Sequence, residues 1–297
     1  MKSPVVLIIY NRKENLPEII GVLRRVKPAK LYVIADGPKS GEETAVAAAR
    51  EEIDKVDWPC KVIKIYAKKN MGLRKRFPTG IGEVFKHEDR AIFIEDDCIP
   101  HPSFFRFCDE LLEKYKDDAR VMTISGDNFQ FGTLKTKYSY YFSRYPHVWG
   151  WATWRRAWQL YDPNLEGWEA ERSKSWLRDM TGSFVSAAFW RYIFDRMQAG
   201  KIDTWDYQLT YASMKHGGVN IIPTVNLVKN VGYGAGATNT RRKSRTMGLA
   251  AVPMAFPLRH PKSIAANRAA DGRTDRVVFL HPLGVASLVV KSLLGWL

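Results

Sequence analysis

The chain has 297 residues, of which 45% are hydrophobic and 26% charged, a balance that excludes a largely disordered or fibrous protein. Its three cysteines, Cys60, Cys98 and Cys108, are odd in number and form no CxxC pair, which argues against a disulfide framework or a cysteine zinc site and favours a cytoplasmic location. A formal net charge of +15 favours an acidic partner: a nucleotide, a nucleic acid, an anionic polymer or a phospholipid surface.

The first half of the chain alternates short β-branched runs with helical stretches, which predicts a mostly parallel sheet built from βαβ units and flanked by helices. Strands are predicted over 5–10, 31–36, 62–67 and 91–95, and helices over 16–26 and 42–53. Ligands of open α/β sheets collect at the carboxyl ends of strands. Tyr10, Asp36 and Glu95 each stand at such an end.

The pattern changes from about residue 104. A helix is predicted to residue 115 and a strand over 121–125, followed by an aromatic-rich region from 138 to 205. Eight of the ten tryptophans lie between Trp149 and Trp205, a density that favours a packed helical core over a binding surface. The final segment is apolar but is interrupted by His281, Pro282 and Lys291, so it is either an interfacial anchor or a helix docked on the domain.

An acidic triplet, Glu95-Asp96-Asp97, ends the apolar run AIFI and precedes the sharp turn CIPHP. An isolated acidic triplet usually lies on a solvated surface. At the end of a buried strand, however, adjacent carboxylates form a hard-oxygen site suited to Mg²⁺ or Mn²⁺, with phosphate oxygens and water completing the coordination. Such a metal neutralises the charge that develops on a departing nucleoside diphosphate.

Over roughly residues 4–240, the chain resembles GT-A fold glycosyltransferases, and its EDD triplet is similar to the DXD-type motif of inverting N-acetylglucosaminyltransferases and their bacterial relatives. The resemblance is carried, in order, by VVLIIYNR, ADGPK, KNMGL, IFIEDDCIPHPSFF, ISGDNF, WGWATWRRAW, TWDYQ and NLVKNVGYGAGATNT. It implies a Rossmann-like sheet with a helical, Trp-rich acceptor side, and a nucleotide-sugar donor, most simply a uridine diphosphate sugar.

The resemblance also implies roles for individual residues. Asp97 is expected to bind the metal directly, while Glu95 and Asp96 contact the ribose or metal-bound water. The segment at Gly150 and Trp151 is expected to support the donor sugar and the acceptor, although its tryptophans also fit a core. The expected nucleotide-pocket residues are Tyr10, Asn11, Arg12, Asp36, Asn70, Gly72 and Arg74.

Some of these positions have a simpler interpretation. Asp36 precedes Gly37-Pro38 and would also suit a turn.

An inverting transfer needs a general base, and Asp206 in TWDYQL matches the aspartate of the inverting relatives. Asp203 competes for that role, and either residue would also suit an exposed helix start.

The run from 232 to 240 predicts a glycine-rich loop, and the basic residues after it, including Arg241, could close over a diphosphate as a lid. A solvated basic loop is the alternative. The bacterial relatives often carry a histidine where this chain has Asn239, which argues against a metal ligand at that position.

Two other functions are consistent with parts of the sequence. A nucleotidyltransferase usually has a glycine-rich loop after its first strand, whereas here YNRKENLP follows without a glycine. A non-enzymatic module that binds nucleic acid or an anionic membrane fits the charge, but its usual motifs are absent and nucleic acid is not an expected partner.

The sequence thus predicts a metal-dependent inverting glycosyltransferase that acts on a glycan or lipid-linked saccharide acceptor in surface polysaccharide synthesis. We expect a nucleotide-sugar-binding half over 1–130, an acceptor-binding half over 131–250 and a basic, apolar tail over 251–297. The tail would place the protein on the inner face of an anionic membrane.

Overall fold

A computed structural model describes residues 1–232, 246 and 248–280 of the chain. Strands and helices alternate through the first half, as the sequence predicts. The strands are β1 (Val5–Ile9), β2 (Lys30–Ala35), β3 (Lys61–Tyr66), β4 (Arg90–Glu95), β5 (Cys98–Pro100), β6 (Val121–Ser125), β7 (Tyr140–Ser143), β8 (Trp151–Trp154), β9 (Val219–Pro223) and β10 (Val228–Asn230). The helices are α1 (Leu16–Val26), α2 (Glu43–Glu51), α3 (Leu73–Phe85), α4 (Pro102–Lys114), α5 (Arg155–Trp158), α6 (Trp168–Glu171), α7 (Trp176–Thr181), α8 (Phe184–Gln198), α9 (Asp206–Lys215) and α10 (Arg268–Thr274).

The main sheet has eight strands in the order β3-β2-β1-β4-β8-β6-β9-β7. Its first four strands are parallel, and β1 is buried along its whole length because helices cover both faces of a parallel sheet. The predicted fold class, a mostly parallel α/β sheet flanked by helices, is confirmed. The order 3-2-1-4 matches the first four positions of the doubly wound order 3-2-1-4-5-6.

The second half of the sheet mixes directions. Strand β8 is antiparallel to both β4 and β6, so β6 runs in the same direction as β4. The carboxyl ends of β1, β2, β4 and β6 therefore lie at one edge of the sheet, which we call the carboxyl edge. Strand β5 follows β4 at this edge and pairs with β10 in a small second sheet.

Helix α1 shows how local sequence sets an element. Pro17 stands in its first turn, where the missing N–H is not needed, and Leu16, Ile19, Ile20 and Leu23 form its buried stripe at helical spacing. The helix stops at Lys27, which adopts a left-handed conformation and donates its N–H to the Leu23 carbonyl. The predicted range of 16–26 is confirmed.

The aromatic-rich region forms a second core, mainly between α6, α8 and α9. Trp168, Trp190 and Tyr211 are almost fully buried there, and Phe194 packs against all three rings. Most of the clustered tryptophans are therefore core residues, as predicted. Strands from both sides of residue 130 share one sheet. The expected domain boundary at this residue stays a prediction.

The expected membrane anchor concerns the apolar C-terminal segment, and residues 281–297 lie outside the described part of the chain. Within the described part, no helix has the length and apolar character needed to span a membrane.

Candidate active site

The carboxyl edge gathers most of the residues predicted to form the site. In the sheet register Ile9 lies beside Ala35 and Ile8 beside Glu95, so the residues that follow these strands emerge together. Tyr10 and Asp36 come directly after their strands. The strand-end argument from sequence therefore identifies one continuous region.

Asp96 is turned into the protein at this edge. Its carboxylate accepts the backbone N–H of Tyr10 at 2.8 Å, its own N–H donates to the Ile8 carbonyl, and its carbonyl accepts from Asn15. Burial, helped by the neighbouring charge of Asp97, raises the pKa of Asp96 to about 7. Asp96 thus joins β4 to the loop after β1.

Asp97 faces the edge and is partly exposed. Its Oδ2 accepts from Arg12 Nη1 at 2.6 Å, and its Oδ1 accepts from the Cys98 thiol at 3.5 Å. Gly232 packs directly against it, since a Cβ at position 232 would lie 2.2 Å from Asp97 Oδ2. Only glycine leaves room beside this carboxylate.

Glu95 ends β4 at this edge, and the charge of Asp206, at the start of α9, acts on it. Burial raises the pKa of Glu95 well above its ordinary value, and the charges of Asp97, Asp96 and Asp206 raise it further. Asp206 is the first residue of α9, and its carboxylate accepts the Thr204 hydroxyl. Burial raises its pKa also.

Asp203, the rival for the general base, lies beside the start of α3. It is exposed, and its Oδ1 accepts the backbone N–H of Arg74 at the start of α3. Arg74 also donates to the Pro163 carbonyl, so this pair connects the two halves of the chain. The charge of Asp206, in contrast, contributes to the raised pKa of Glu95.

The predicted nucleotide-pocket residues Tyr10, Asn11 and Asn70 form one hydrogen-bonded group around Glu42. The Tyr10 hydroxyl and the Asn11 amide both donate to the Glu42 carboxylate, and Asn70 donates to the Tyr10 hydroxyl at 3.3 Å and to the Gly37 carbonyl at 2.8 Å. Burial and the bond to Glu42 raise the pKa of Tyr10 to about 12. Sequence reasoning missed Glu42, because an acidic residue before a helix carries no specific signal.

Asp36 supports the loop that precedes α3. Its two carboxylate oxygens accept the backbone N–H groups of Gly37, Met71 and Gly72 at 2.8–3.1 Å. Gly72 has a positive φ of 76° at the start of that helix, a conformation that glycine adopts without strain. Asp36 therefore has a clear local role, and its contact with a nucleotide stays a prediction.

Trp151 lies beneath the edge. It is fully buried, and its ring stacks on Phe93 at 4.6 Å and on Trp205 at 5.3 Å between ring centroids. Within the described residues, its indole N–H has no acceptor. Trp151 is therefore a core residue, and its support of the donor sugar and acceptor stays a prediction.

A buried pair beside the carboxyl edge, formed by His147 and Asp127, was also not predicted. His147 Nδ1 bonds to the Asp127 carboxylate, which also accepts the Trp149 N–H, and Phe129 stacks on the imidazole. Both side chains are at least 97% buried, with relative exposures of 3% and 0%. Asp127 lies in the ISGDNF segment that carries part of the resemblance, but its separation of twenty residues from His147 matches no motif, and no role was predicted for either residue.

The predicted lid falls outside the described residues. Arg241, Asn239 and the rest of 233–245 belong to the part of the chain without a description, and their roles stay predictions. Gly232 marks the point where the described chain passes over Asp97.

The carboxyl edge fits a divalent cation that is completed by its substrate. Across residues 1–232, 246 and 248–280, no group of three or more His, Cys, Asp or Glu residues forms a metal cage. Mg²⁺ and similar ions often bind through one or two carboxylates plus phosphate oxygens and water. Asp97, whose side chain is partly exposed at this edge, provides such a carboxylate.

No protein-family model and no curated protein matches this chain. Among solved structures, it is similar to a UDP-glucose pyrophosphorylase complexed with UDP-glucose, at 14% identity and a TM-score of 0.29, over 50% of this chain and 64% of that one. The chain thus spans slightly less than two thirds of that protein.

Two further solved structures cover more of the chain. The mannosyltransferase PcManGT from Pyrobaculum calidifontis, in complex with GDP-mannose and Mn²⁺, is 12% identical over 72% of this chain and 74% of its own, with a TM-score of 0.39. An apo UDP-glucose pyrophosphorylase is 13% identical over 78% and 94%, with a TM-score of 0.39. These neighbours are nucleotide-sugar enzymes, and at such identities and TM-scores none assigns an activity to this chain.

Proposed function

We propose that this chain is a divalent-metal-dependent glycosyltransferase, which moves a sugar from a nucleoside diphosphate donor, a uridine diphosphate sugar, to a hydroxyl of a glycan or lipid-linked acceptor. The observation that carries the proposal is the convergence of Asp97, Arg12 and Asp206 at the carboxyl edge of a 3-2-1-4 sheet. This edge is where open α/β sheets bind nucleotides.

The donor site is supported by charge and by hydrogen-bonding chemistry. A cation at Asp97 would neutralise the leaving diphosphate, and the Arg12 guanidinium suits bidentate phosphate binding. The group formed by Tyr10, Asn11, Asn70 and Glu42 offers donors and acceptors to a base and ribose beside that position.

Asp206 is the proposed general base. Its carboxylate stands near Glu95, and burial raises its pKa from that of an ordinary aspartate toward the range of an effective base. A base positioned across from the leaving diphosphate takes the proton of an attacking acceptor hydroxyl, which produces inversion at the anomeric carbon. The stereochemistry of the product tests that part of the proposal independently.

The test is a calorimetric titration with uridine diphosphate, with and without Mn²⁺, on wild type, Asp97→Ala and Asp89→Ala. Asp89 precedes β4 at the opposite end from Asp97 and is highly exposed, which makes it a matched acidic control. We expect metal-dependent binding in wild type and Asp89→Ala, and a loss of that binding in Asp97→Ala.

Metal-independent binding, or equal binding by all three proteins, would reject the proposed site. Consumption of uridine triphosphate and a sugar 1-phosphate by the wild type would instead favour the nucleotidyltransferase alternative.

A further inference from the structure

Arg12 occupies the position that the proposed metal needs. Its Nη1 lies 2.6 Å from Asp97 Oδ2 and 3.5 Å from Asp96 Oδ1, and about one fifth of each of the Arg12 and Asp97 side chains is exposed. Both ion pairs that the described residues make with the acidic triplet come from this one arginine. A cation approaching Asp97 therefore meets an oxygen that is already engaged.

The partners of Arg12 differ from those of the structural arginines. Arg76 donates to the carbonyls of Ala35 and Ile65, and Arg156 donates to three backbone carbonyls near the end of α4 and the start of β6. Such bonds fix a guanidinium to the fold. The bonds recorded for Arg12 within the described chain go to carboxylates of the triplet alone.

The negative charge of the acidic triplet makes the loss of the Arg12 guanidinium unfavourable unless another cation replaces it. After the larger effect of burial, the charges of Asp97, Asp96 and Asp206 raise the pKa of Glu95. Removing one partner of a partly buried ion pair leaves an uncompensated charge, which is strongly unfavourable. Departure of Arg12 thus requires a second cation at Asp97 and a new anion for Arg12.

We propose that Arg12 is an exchangeable counter-ion: it neutralises Asp97 in the empty site and moves to the donor diphosphate when a divalent cation takes its place. This inference rests on the proposed function and adds a coupling between its two ligands. Because the exchange leaves both charges paired, metal and nucleotide each favour binding of the other, and the coupling is reciprocal.

The exchange predicts effects of opposite sign from one substitution. In Arg12→Gln, Mn²⁺ alone should bind about tenfold more tightly, because no guanidinium competes for Asp97, while uridine diphosphate with saturating Mn²⁺ should bind about tenfold more weakly. Arg12→Lys keeps the competing charge but loses the planar fork, so it should weaken nucleotide binding without tightening Mn²⁺.

The experiment is calorimetric titration of wild type, both Arg12 variants and Arg24→Gln, each first checked for a wild-type melting profile. Arg24 is a matched control, since it forms an exposed ion pair with Asp57 on another surface and should leave both affinities unchanged. Tighter Mn²⁺ binding with weaker nucleotide binding in Arg12→Gln supports the exchange.

Two outcomes overturn the proposal, and they differ from failure of the function itself. If Arg12→Gln weakens the binding of both ligands, Arg12 only holds the Asp97 side chain in position. If neither affinity changes, Arg12 has no role in binding either ligand. A wild type that binds no uridine diphosphate rejects the proposed function, whereas wild-type binding together with either of these two outcomes rejects the exchange alone.

Discussion

Asp271 gives a sharp prediction about stability and pH. This residue of α10 is buried, and its carboxylate accepts the Ser143 hydroxyl at 2.6 Å and the Arg144 N–H at 3.2 Å. Burial, the largest cause, raises its pKa from 3.8 to about 6, although these two bonds oppose the rise. The folded protein therefore binds this proton more tightly than the unfolded chain does.

The sign follows from that difference. The stabilising contribution of the proton is fully present below about pH 4 and is lost as the pH rises through about 6. A rise from 3.8 to about 6 corresponds to about 3 kcal/mol of unfolding free energy, at about 1.36 kcal/mol for each tenfold change in proton affinity. Asp271→Asn removes the ionisation but loses one of the two hydrogen bonds.

The assay is chemical denaturation of wild type and Asp271→Asn between pH 4 and pH 8, with exposed Asp89→Asn as the control for the loss of a surface carboxylate. We expect the free energy of unfolding of Asp271→Asn, relative to wild type, to improve by about 2.5 kcal/mol from pH 4 to pH 7. A difference between the two proteins that stays constant across this range would refute the reasoning.

Three further substitutions distinguish residues of the proposed site from residues that only stabilise the fold. Gly232→Ala places a methyl group 2.2 Å from Asp97 Oδ2 and should weaken Mn²⁺-dependent nucleotide binding by about tenfold or more, a loss of at least about 1.4 kcal/mol measured by titration; an unchanged affinity would contradict the packing. Gly82→Ala, in α3 with no atom within 4 Å of the added methyl group, should instead raise stability by about 0.5–1 kcal/mol, and a lower melting temperature would contradict this. Trp151→Phe should destabilise the fold by about 1–3 kcal/mol and leave nucleotide affinity nearly unchanged, because the ring is core; a large loss of affinity at full stability would show direct contact.

The fold of the first half could be predicted because its signals are local. Helical spacing and proline fixed the bounds of α1, and a fully apolar run identified β1. The rule that ligands collect at strand ends then brought Tyr10, Asp36 and Glu95 to one edge.

The remaining features depend on contacts between distant parts of the chain. Strand β8 lies between β4 and β6 in the sheet, and no periodic pattern in the sequences of these strands indicates that order. The same holds for Arg12 on Asp97, which are 85 residues apart, and for Asp36, whose carboxylate is engaged by backbone N–H groups at positions 71 and 72. The local sequence pattern predicts which residues lie at the carboxyl edge, but not which residues they contact there.

The most direct measurement is the release of uridine diphosphate from a panel of uridine diphosphate sugars, with candidate acceptors and Mn²⁺, by wild type and Asp206→Asn. We predict that the variant keeps the wild-type affinity for uridine diphosphate and Mn²⁺ and loses transfer by about 10²–10⁴-fold, the usual contribution of a general base. Equal transfer by both proteins would contradict the role of Asp206, and the absence of any release by a wild type that is folded and supplied with metal would contradict sugar transfer at this edge.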